Sequence, residues 1–213
     1  MPGLSGKSSG TAGMSNRGLE NIQHLPKIFL SSMISEGDLV LDCTAGLGRD
    51  TLFLARLVGP RGKVYAFDIQ DKAVEATKKL LQDEGLLKRV EVLQADHADL
   101  REWIKTEIKA AVFNLGFLPG SDHQTVTNAE STIEAIKGCL ELLAVKGAVS
   151  ITVYRGHRGG EEEAAALNVF TASLPGKVYS VLQGTHTNQK ADSPYWIMIQ
   201  KNRRIRDENQ TAG

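Results

Sequence analysis

The 213-residue chain has few cysteines, no net charge and no long apolar run, and each shortage excludes a class of protein. Its two cysteines, Cys43 and Cys139, lie far apart without the spacing of metal ligands, so both are predicted to be small buried thiols and no metal is expected. No apolar stretch approaches the roughly 20 residues that span a bilayer. We therefore expect a cytoplasmic protein with no membrane association.

The balance of 25 basic and 25 acidic residues argues against a protein that coats nucleic acid through bulk charge. Local basic patches remain compatible with this balance. One cluster lies near each terminus, at Lys7, Arg17 and Lys27 and at Lys201, Arg203, Arg204 and Arg206.

Small polar residues fill positions 1–13, which lack the apolar core of a secretory signal and are expected to form a disordered leader. Residues 205–213 are expected to be a disordered tail. Between them, residues 14–204 are predicted to form a single α/β domain, because strand and helix patterns alternate.

The predicted fold is a seven-stranded, mostly parallel sheet with helices on both faces and one antiparallel strand. The last two strands are joined by too few residues for a parallel crossover, so they should form an antiparallel hairpin. Strands are predicted near 38–43, 63–68, 90–94, 109–114, 146–153, 177–183 and 194–200. Helices are predicted near 18–34, 48–58, 71–83, 98–105, 123–143 and 161–173.

The segment L-V-L-D-C-T-A-G-L-G-R-D, residues 39–50, is typical of a buried strand that ends in a small-residue turn before a helix. A second strand ends at Asp68, where an acidic residue can hydrogen-bond ribose hydroxyls. This spacing predicts an adenosine-containing cofactor. Besides Asp68, the predicted contacts in and around the turn are Asp42, Thr44, Gly46, Gly48, Asp50, Thr51 and Gln70.

The turn also indicates which cofactor binds. Thr51 stands where the dinucleotide fingerprint G-x-G-x-x-G has its third glycine. Asp42, directly before the turn, would repel a pyrophosphate but suits the ammonium and sulfonium groups of S-adenosylmethionine. S-adenosylmethionine is therefore favoured over a nicotinamide dinucleotide.

Two further strand ends carry candidate site residues. Asp96 could accept a hydrogen bond from an adenine amino group, or simply cap the next helix, and His97 could pack beside the ring. Asn114, which is also a predicted cofactor contact, begins the loop N-L-G-F-L-P-G, which resembles the N-P-P-Y/F motif of amino-group methyltransferases. There an amide can hold the N–H groups of a nitrogen nucleophile while an aromatic wall excludes water, which makes Phe117 and Pro119 candidate substrate contacts.

The loop after the fifth strand brings together an aromatic, an imidazole and two guanidinium groups, which could provide stacking, proton transfer and phosphate contacts. A second polar loop contains Asn188, although a plain hairpin turn would explain it equally well. The candidates for catalysis are Asn114, Tyr154 and His157, and those for substrate binding are Tyr154, Arg155, His157, Arg158 and Asn188.

Taken together, D-C-T-A-G-L-G-R-D-T-L-F-L-A, F-D-I-Q, F-N-L-G-F-L-P-G-S-D and Y-R-G-H-R-G-G resemble the bacterial rRNA-methylase family, the YtqB/MnmM-like group, over residues 19–201. Leu47 and Arg49 replace the Asn and His of the usual family turn, and Ser121-Asp122-His123 stands where Gly-Asp-Lys is common.

The resemblance implies a Rossmann-like class I methyltransferase that uses S-adenosylmethionine. Its implied substrate is 5-aminomethyl(-2-thio)uridine at the wobble position, in the anticodon region of tRNA, with Asn114, Tyr154 and His157 facing it. The residues themselves leave other functions open: methylation of rRNA or of a small-molecule amine, a nicotinamide-dependent oxidoreductase, or a non-catalytic binding module. The oligomeric state is equally open, a homodimer included.

Overall fold

The computed structural model describes residues 18–116, 128–156 and 159–204. Helices α1 to α6 span His24–Met33, Arg49–Leu57, Asp71–Asp83, Leu100–Trp103, Ala129–Leu142 and Gly160–Ala172. Strands β1 to β7 span Leu39–Asp42, Lys63–Asp68, Val90–Gln94, Ile108–Leu115, Leu143–Val153, Tyr179–Gly184 and Tyr195–Lys201. The predicted leader and tail lie outside the described residues.

All seven strands form one sheet in the order β3-β2-β1-β4-β5-β7-β6. The pairs from β3 through β5 are parallel, while β7 is antiparallel to both β5 and β6. The predicted mostly parallel sheet, with a final hairpin that reverses one strand, is confirmed.

Alternate residues of the central strands enter two separate cores, one on each face of the sheet. On β4, Ala111 and Phe113 pack with residues of α4, α5 and α6, whereas Ala110 and Val112 pack with residues of α1, α2 and α3. Because both faces are covered, β4 is a nearly continuous run of buried residues. The carboxyl ends of β1, β2, β3 and β4 are thereby brought to one edge.

Several element boundaries differ from the predictions, among them the start of α1 and the junction of α5 with β5. Helix α1 begins at His24 rather than near residue 18, because the Asn21 side chain accepts a hydrogen bond from the Gln23 N–H at 3.0 Å, in a turn that competes with helix. Helix α5 runs directly into β5 at Leu143, so the predicted gap before that strand does not exist.

Lys201, assigned to a basic patch in the sequence analysis, is buried on β7 instead. Its ammonium donates hydrogen bonds to the carbonyls of Leu140 at 3.1 Å and Leu143 at 2.8 Å, at the end of α5. Burial lowers the pKa of Lys201. This lysine caps a helix terminus and is not a surface charge.

Candidate active site

A cavity of about 750 Å³ opens at the carboxyl ends of β1 to β4, where ligands bind in open parallel sheets. Two groups of residues line it. We call the first the turn end, formed by Gly46, Asp68, Gln70, Asp96 and His97. We call the second the amide end, formed by Gln23, Lys27, Asp50, Asn114 and Tyr154.

The glycine turn between β1 and α2 requires its glycines. Gly46 and Gly48 have φ angles of 54° and 76°, which side chains disfavour. A Cβ on Gly48 would also come within 2.9 Å of the Cα of Thr77, so the turn packs tightly on α3. Gly46 lines the cavity, whereas Gly48 does not.

Asp68 connects the turn to the start of α3. One of its carboxylate oxygens accepts a hydrogen bond from the Gly46 N–H and the other from the Gln70 N–H, each at 2.9 Å. The carboxylate lines the cavity from the end of β2, the position at which the sequence predicts a ribose contact.

Asp96 and His97 share a third partner, Ser131 on α5. The Asp96 carboxylate accepts hydrogen bonds from the Ala98 N–H at 2.9 Å and the Ser131 hydroxyl at 2.7 Å. Burial by itself would raise the pKa of Asp96, but these hydrogen bonds and the nearby His97 outweigh it and lower the pKa. Asp96 is therefore both the cap of the short helix that follows and a charged wall of the cavity.

His97 is fixed through both ring nitrogens. Its Nδ1 donates to the Cys43 carbonyl at 2.9 Å, and its Nε2 lies 3.2 Å from the Ser131 hydroxyl oxygen. The ring also meets Phe113 edge to face, with the centroids 5.7 Å apart. This leaves the imidazole in one orientation at the cavity wall.

Asp42 requires a correction, because it is fully buried and does not line the cavity. Its carboxylate accepts hydrogen bonds from the Thr51 hydroxyl at 2.6 Å and the Thr44 N–H at 3.2 Å. Burial, followed by the negative charge of Asp50, raises its pKa from 3.8 to about 7. Asp42 and the equally buried Thr51 thus support the turn from beneath. Because Asp42 does not reach the cavity, it does not make the predicted contact with the charged groups of the cofactor.

The amide end is a chain of side-chain hydrogen bonds centred on Asn114. Its Oδ1 accepts from Nε2 of Gln23 at 2.6 Å, and its Nδ2 donates to the Asp50 carboxylate. The backbone N–H of Asn114 donates to the Thr44 hydroxyl at 2.7 Å, which joins it to the glycine turn. Gln23 Nε2 also donates to the Tyr154 hydroxyl at 3.3 Å.

Lys27 completes the amide end by compensating the charge of Asp50. The ammonium lies 2.5 Å from the Asp50 carboxylate and 5.5 Å from the ring centroid of Phe53. Burial, with a contribution from the negative Asp50, raises the pKa of Tyr154, so its hydroxyl keeps its proton at neutral pH.

The residues that α1 and the segment before it contribute to the cavity were not predicted as site residues. They are Asn21, Gln23, His24 and Lys27. Gln23 is 91 residues from Asn114 and 131 residues from Tyr154 in the chain. In the sequence Lys27 is simply one of three N-terminal cations, and neither spacing nor a motif connects the segment to the strand ends.

Two predicted substrate contacts lie away from the cavity. Arg155 donates to the Ser193 carbonyl at 2.9 Å and stacks 5.4 Å from the Tyr195 ring centroid, so it packs against the final hairpin. Asn188 is exposed in the turn between β6 and β7. Phe117, Pro119, His157 and Arg158 lie outside the described residues.

Within the described ranges, no group of three or more His, Cys, Asp or Glu side chains is arranged to hold a metal ion. In the same ranges, no helix combines the length and apolar character needed to cross a bilayer. The cavity therefore stands as the one candidate site that these residues and the strand ends indicate together.

Comparison with known proteins gives a consistent family. The family model described as "Putative rRNA methylase" matches residues 64–200. A chloroplastic tRNA (mnm(5)s(2)U34)-methyltransferase of Arabidopsis thaliana is 33% identical over 168 residues, which are 74% of this chain and 61% of that protein. The chain thus spans less than two thirds of that relative.

Solved structures show the same similarity over almost their whole length. A crystal structure described as a putative rRNA-methylase from Clostridium thermocellum has a TM-score of 0.83 and 37% identity, covering 85% of this chain and 97% of that one. A putative methyltransferase from Streptococcus mutans in complex with SAH has a TM-score of 0.79 and 33% identity, covering 85% and 98%.

Proposed function

The chain belongs to the family described as "Putative rRNA methylase", and on that premise we propose that it is an S-adenosylmethionine-dependent N-methyltransferase. Its proposed substrate is the 5-aminomethyl group of wobble (2-thio)uridine in tRNA. The observation that carries the proposal is the position of Asn114, whose backbone is tied to the glycine turn and whose amide oxygen accepts a hydrogen bond from an N–H donor inside the cavity.

The turn end fits the adenosine part of the cofactor. Asp68 offers carboxylate oxygens to ribose hydroxyls, and Asp96 with His97 offers an acceptor and a ring edge to a purine. When bound, S-adenosylmethionine supplies a methyl group that its sulfonium already activates. The chain therefore has mainly to align the acceptor nitrogen, keep water out and provide for a proton.

The amide end fits the acceptor nitrogen. An alkylamine is mostly protonated at neutral pH and must be neutral for its lone pair to attack the methyl carbon. Attack would form the N–C bond as the C–S bond of the sulfonium breaks, with S-adenosylhomocysteine as the leaving group, and the resulting methylammonium would then lose a proton. Asn114 is proposed to orient the nitrogen, with Tyr154 beside it, and His157 remains the proposed proton acceptor, although it lies outside the described residues.

tRNA is favoured because the Arabidopsis relative is described as a tRNA methyltransferase and matches 74% of this chain. An amine carried by rRNA is the second candidate, because the family description names that substrate. A small-molecule amine remains an outcome of the test. We further propose that the enzyme works in the cytoplasm on the tRNA anticodon region.

The test is nucleoside mass spectrometry of tRNA and rRNA from cells with and without the gene. Loss of the methylaminomethyl nucleoside from tRNA, with accumulation of the aminomethyl precursor, is the expected result. The purified protein should then convert precursor-containing tRNA with S-adenosylmethionine. A change confined to rRNA supports the second candidate, and an unchanged nucleoside profile in both RNA pools contradicts both.

A further inference from the structure

Gln23 occupies an unusual position for the residue that precedes a helix. Its side chain makes no capping hydrogen bond to α1 and is directed into the cavity instead. There its Nε2 meets two oxygen atoms, the amide oxygen of Asn114 at 2.6 Å and the hydroxyl of Tyr154 at 3.3 Å. These are the two described side chains that the proposed function assigns to the substrate nitrogen.

The nitrogen of Gln23 carries two N–H groups, as does a neutral primary amine. We propose that Gln23 Nε2 holds the place of the substrate nitrogen, and that the substrate amine displaces the Gln23 side chain from Asn114 and Tyr154 when it binds. The inference rests on the proposed function. It adds that the Gln23 side chain occupies the amine site when no substrate is bound.

The surrounding network allows only one orientation of the Asn114 amide. Nδ2 must face Asp50, whose carboxylate can only accept, so Oδ1 faces Gln23. The Lys27 ammonium lies 2.5 Å from the Asp50 carboxylate and pairs with it beside the cavity. Asn114 therefore presents an acceptor to whichever nitrogen replaces that of Gln23.

The two acceptors also predict selectivity for an amine over an alcohol. A neutral amine can donate one hydrogen to Asn114 and one to Tyr154, with its lone pair left free for the methyl carbon. A hydroxyl has a single hydrogen, so it can donate to Asn114 only if it accepts a hydrogen bond from the Tyr154 hydroxyl in place of donating a second one. An NH₂ group can therefore donate to both oxygens at once, whereas a hydroxyl can donate to only one of them.

Displacement of Gln23 requires little movement of the fold. Gln23 precedes the first residue of α1, and the helix itself is held by the buried Pro26 and Leu30. The side chain can rotate away while α1 stays in place, so the substrate competes with two hydrogen bonds only. Such competition should weaken apparent substrate affinity by about three- to tenfold.

The kinetic test uses Gln23→Met, which keeps the side-chain length and removes both N–H groups, together with Gln23→Ala. With saturating S-adenosylmethionine, KM for tRNA carrying 5-aminomethyluridine should fall about three- to tenfold in both variants. Ser32→Ala, at an exposed position of α1, is the matched control and should keep the wild-type KM. An unchanged or higher KM in Gln23→Met would overturn the inference, as would a loss of kcat at constant KM, which would make Gln23 a residue that holds the substrate.

A second test does not depend on catalysis. The side-chain NH₂ signal of Gln23 in a ¹⁵N–¹H spectrum, assigned by its loss in Gln23→Met, is followed while 5-aminomethyluridine is added to the protein with S-adenosylhomocysteine. The amine should shift this signal at a lower concentration than 5-hydroxymethyluridine does. If no RNA is methylated but the shift is seen, the proposed substrate fails and the amine site stands. If tRNA is methylated but the signal does not respond, only the inference fails.

Discussion

The two ends of the cavity are built from different kinds of contact. At the turn end, the carboxylates of Asp68 and Asp96 accept backbone N–H groups that are 22 residues away or only two, and the longer side-chain contacts of Asp96 and His97 go to Ser131 on the next βα unit. At the amide end, side chains bond to side chains across 64, 91 and 131 residues. The first end needs only the successive βα units to form, whereas the second needs α1 to be seated against the completed sheet.

This difference separates two properties that single substitutions should affect independently. The turn end depends on backbone geometry and should determine cofactor affinity. The amide end depends on side-chain chemistry and should determine the rate and selectivity of transfer.

The largest effect is expected at Asn114. Asn114→Ala removes the acceptor proposed to align the nitrogen, so single-turnover methylation should fall by a factor of about a hundred or more. Calorimetry should find the affinity for S-adenosylhomocysteine within about threefold of wild type, since the amide is not proposed to contact the adenosine. Asn202→Ala, a half-buried position just after β7 and outside the cavity lining, should change neither quantity. A near-normal rate in folded Asn114→Ala would mean that the amide end is structural.

Asp68→Ala should have its main effect on the cofactor. Loss of charge-assisted hydrogen bonds to ribose hydroxyls costs on the order of 1.5–3 kcal/mol, which is about ten- to a hundredfold in the affinity for S-adenosylhomocysteine. The neighbouring Asp71, exposed in the first turn of α3, provides the control, because Asp71→Ala should bind normally. If folded Asp68→Ala retains its affinity, the ribose assignment is wrong.

Asp42 should make the unfolding free energy of the protein depend on pH, with no corresponding effect on cofactor binding. Its folded-state pKa of about 7 lies above the ordinary 3.8, so between these values the folded protein holds a proton that the unfolded chain has lost. The stability contributed by this proton is therefore lost as the pH rises through that window. From about pH 5 to about pH 8, Asp42→Asn should gain roughly 2 kcal/mol of unfolding free energy relative to wild type.

Denaturant unfolding at several pH values measures this difference. Asp83→Asn, at an exposed position near the end of α3, should run parallel to wild type across the range. A constant difference between Asp42→Asn and wild type would show that Asp42 does not titrate there.

The smallest effect is expected at Arg155, which lies outside both ends. Arg155→Ala removes the hydrogen bond to Ser193 and the stacking on Tyr195, so it should destabilise the protein by about 1 kcal/mol in urea unfolding. The exposed Arg203→Ala should be neutral. Unchanged stability together with a weaker salt dependence of tRNA binding would instead place Arg155 on the substrate surface, as the sequence predicts.

The fold could be predicted from sequence wherever burial leaves a local pattern. The central strands are apolar runs between turn residues, and the short connection before the last strand dictates a hairpin. The position of Asp68 at the cavity could be predicted because it follows from its place at the end of β2 and its distance from the glycine turn. Asp42 carries the same strand-end pattern, yet its side chain points beneath the turn, and a strand-end position alone does not specify the direction of a side chain.

Gln23 could not be predicted, since no local pattern links the start of a helix to strand ends so far away in the chain. The start of α1 was missed for a related reason, because the apolar periodicity extends through residues that the Asn21 turn removes from the helix. Arg155 shows the converse case: the sequence assigns it to the substrate from its position after a strand end, and no local pattern announces that its guanidinium donates to the Ser193 carbonyl of the final hairpin.

The order β5-β7-β6 has a consequence for the nascent chain on the ribosome. β6 leaves the exit tunnel before β7, yet its neighbour in the sheet is β7, so it has no strand to join when it appears. The outer edge of β5 is unpaired over the same interval, and synthesis at roughly 5–20 residues per second leaves that edge open for several seconds. Every described side chain of the two cavity ends precedes β6 in the chain. The residues of the cavity are therefore synthesised before β7 can pair with the exposed edge of β5.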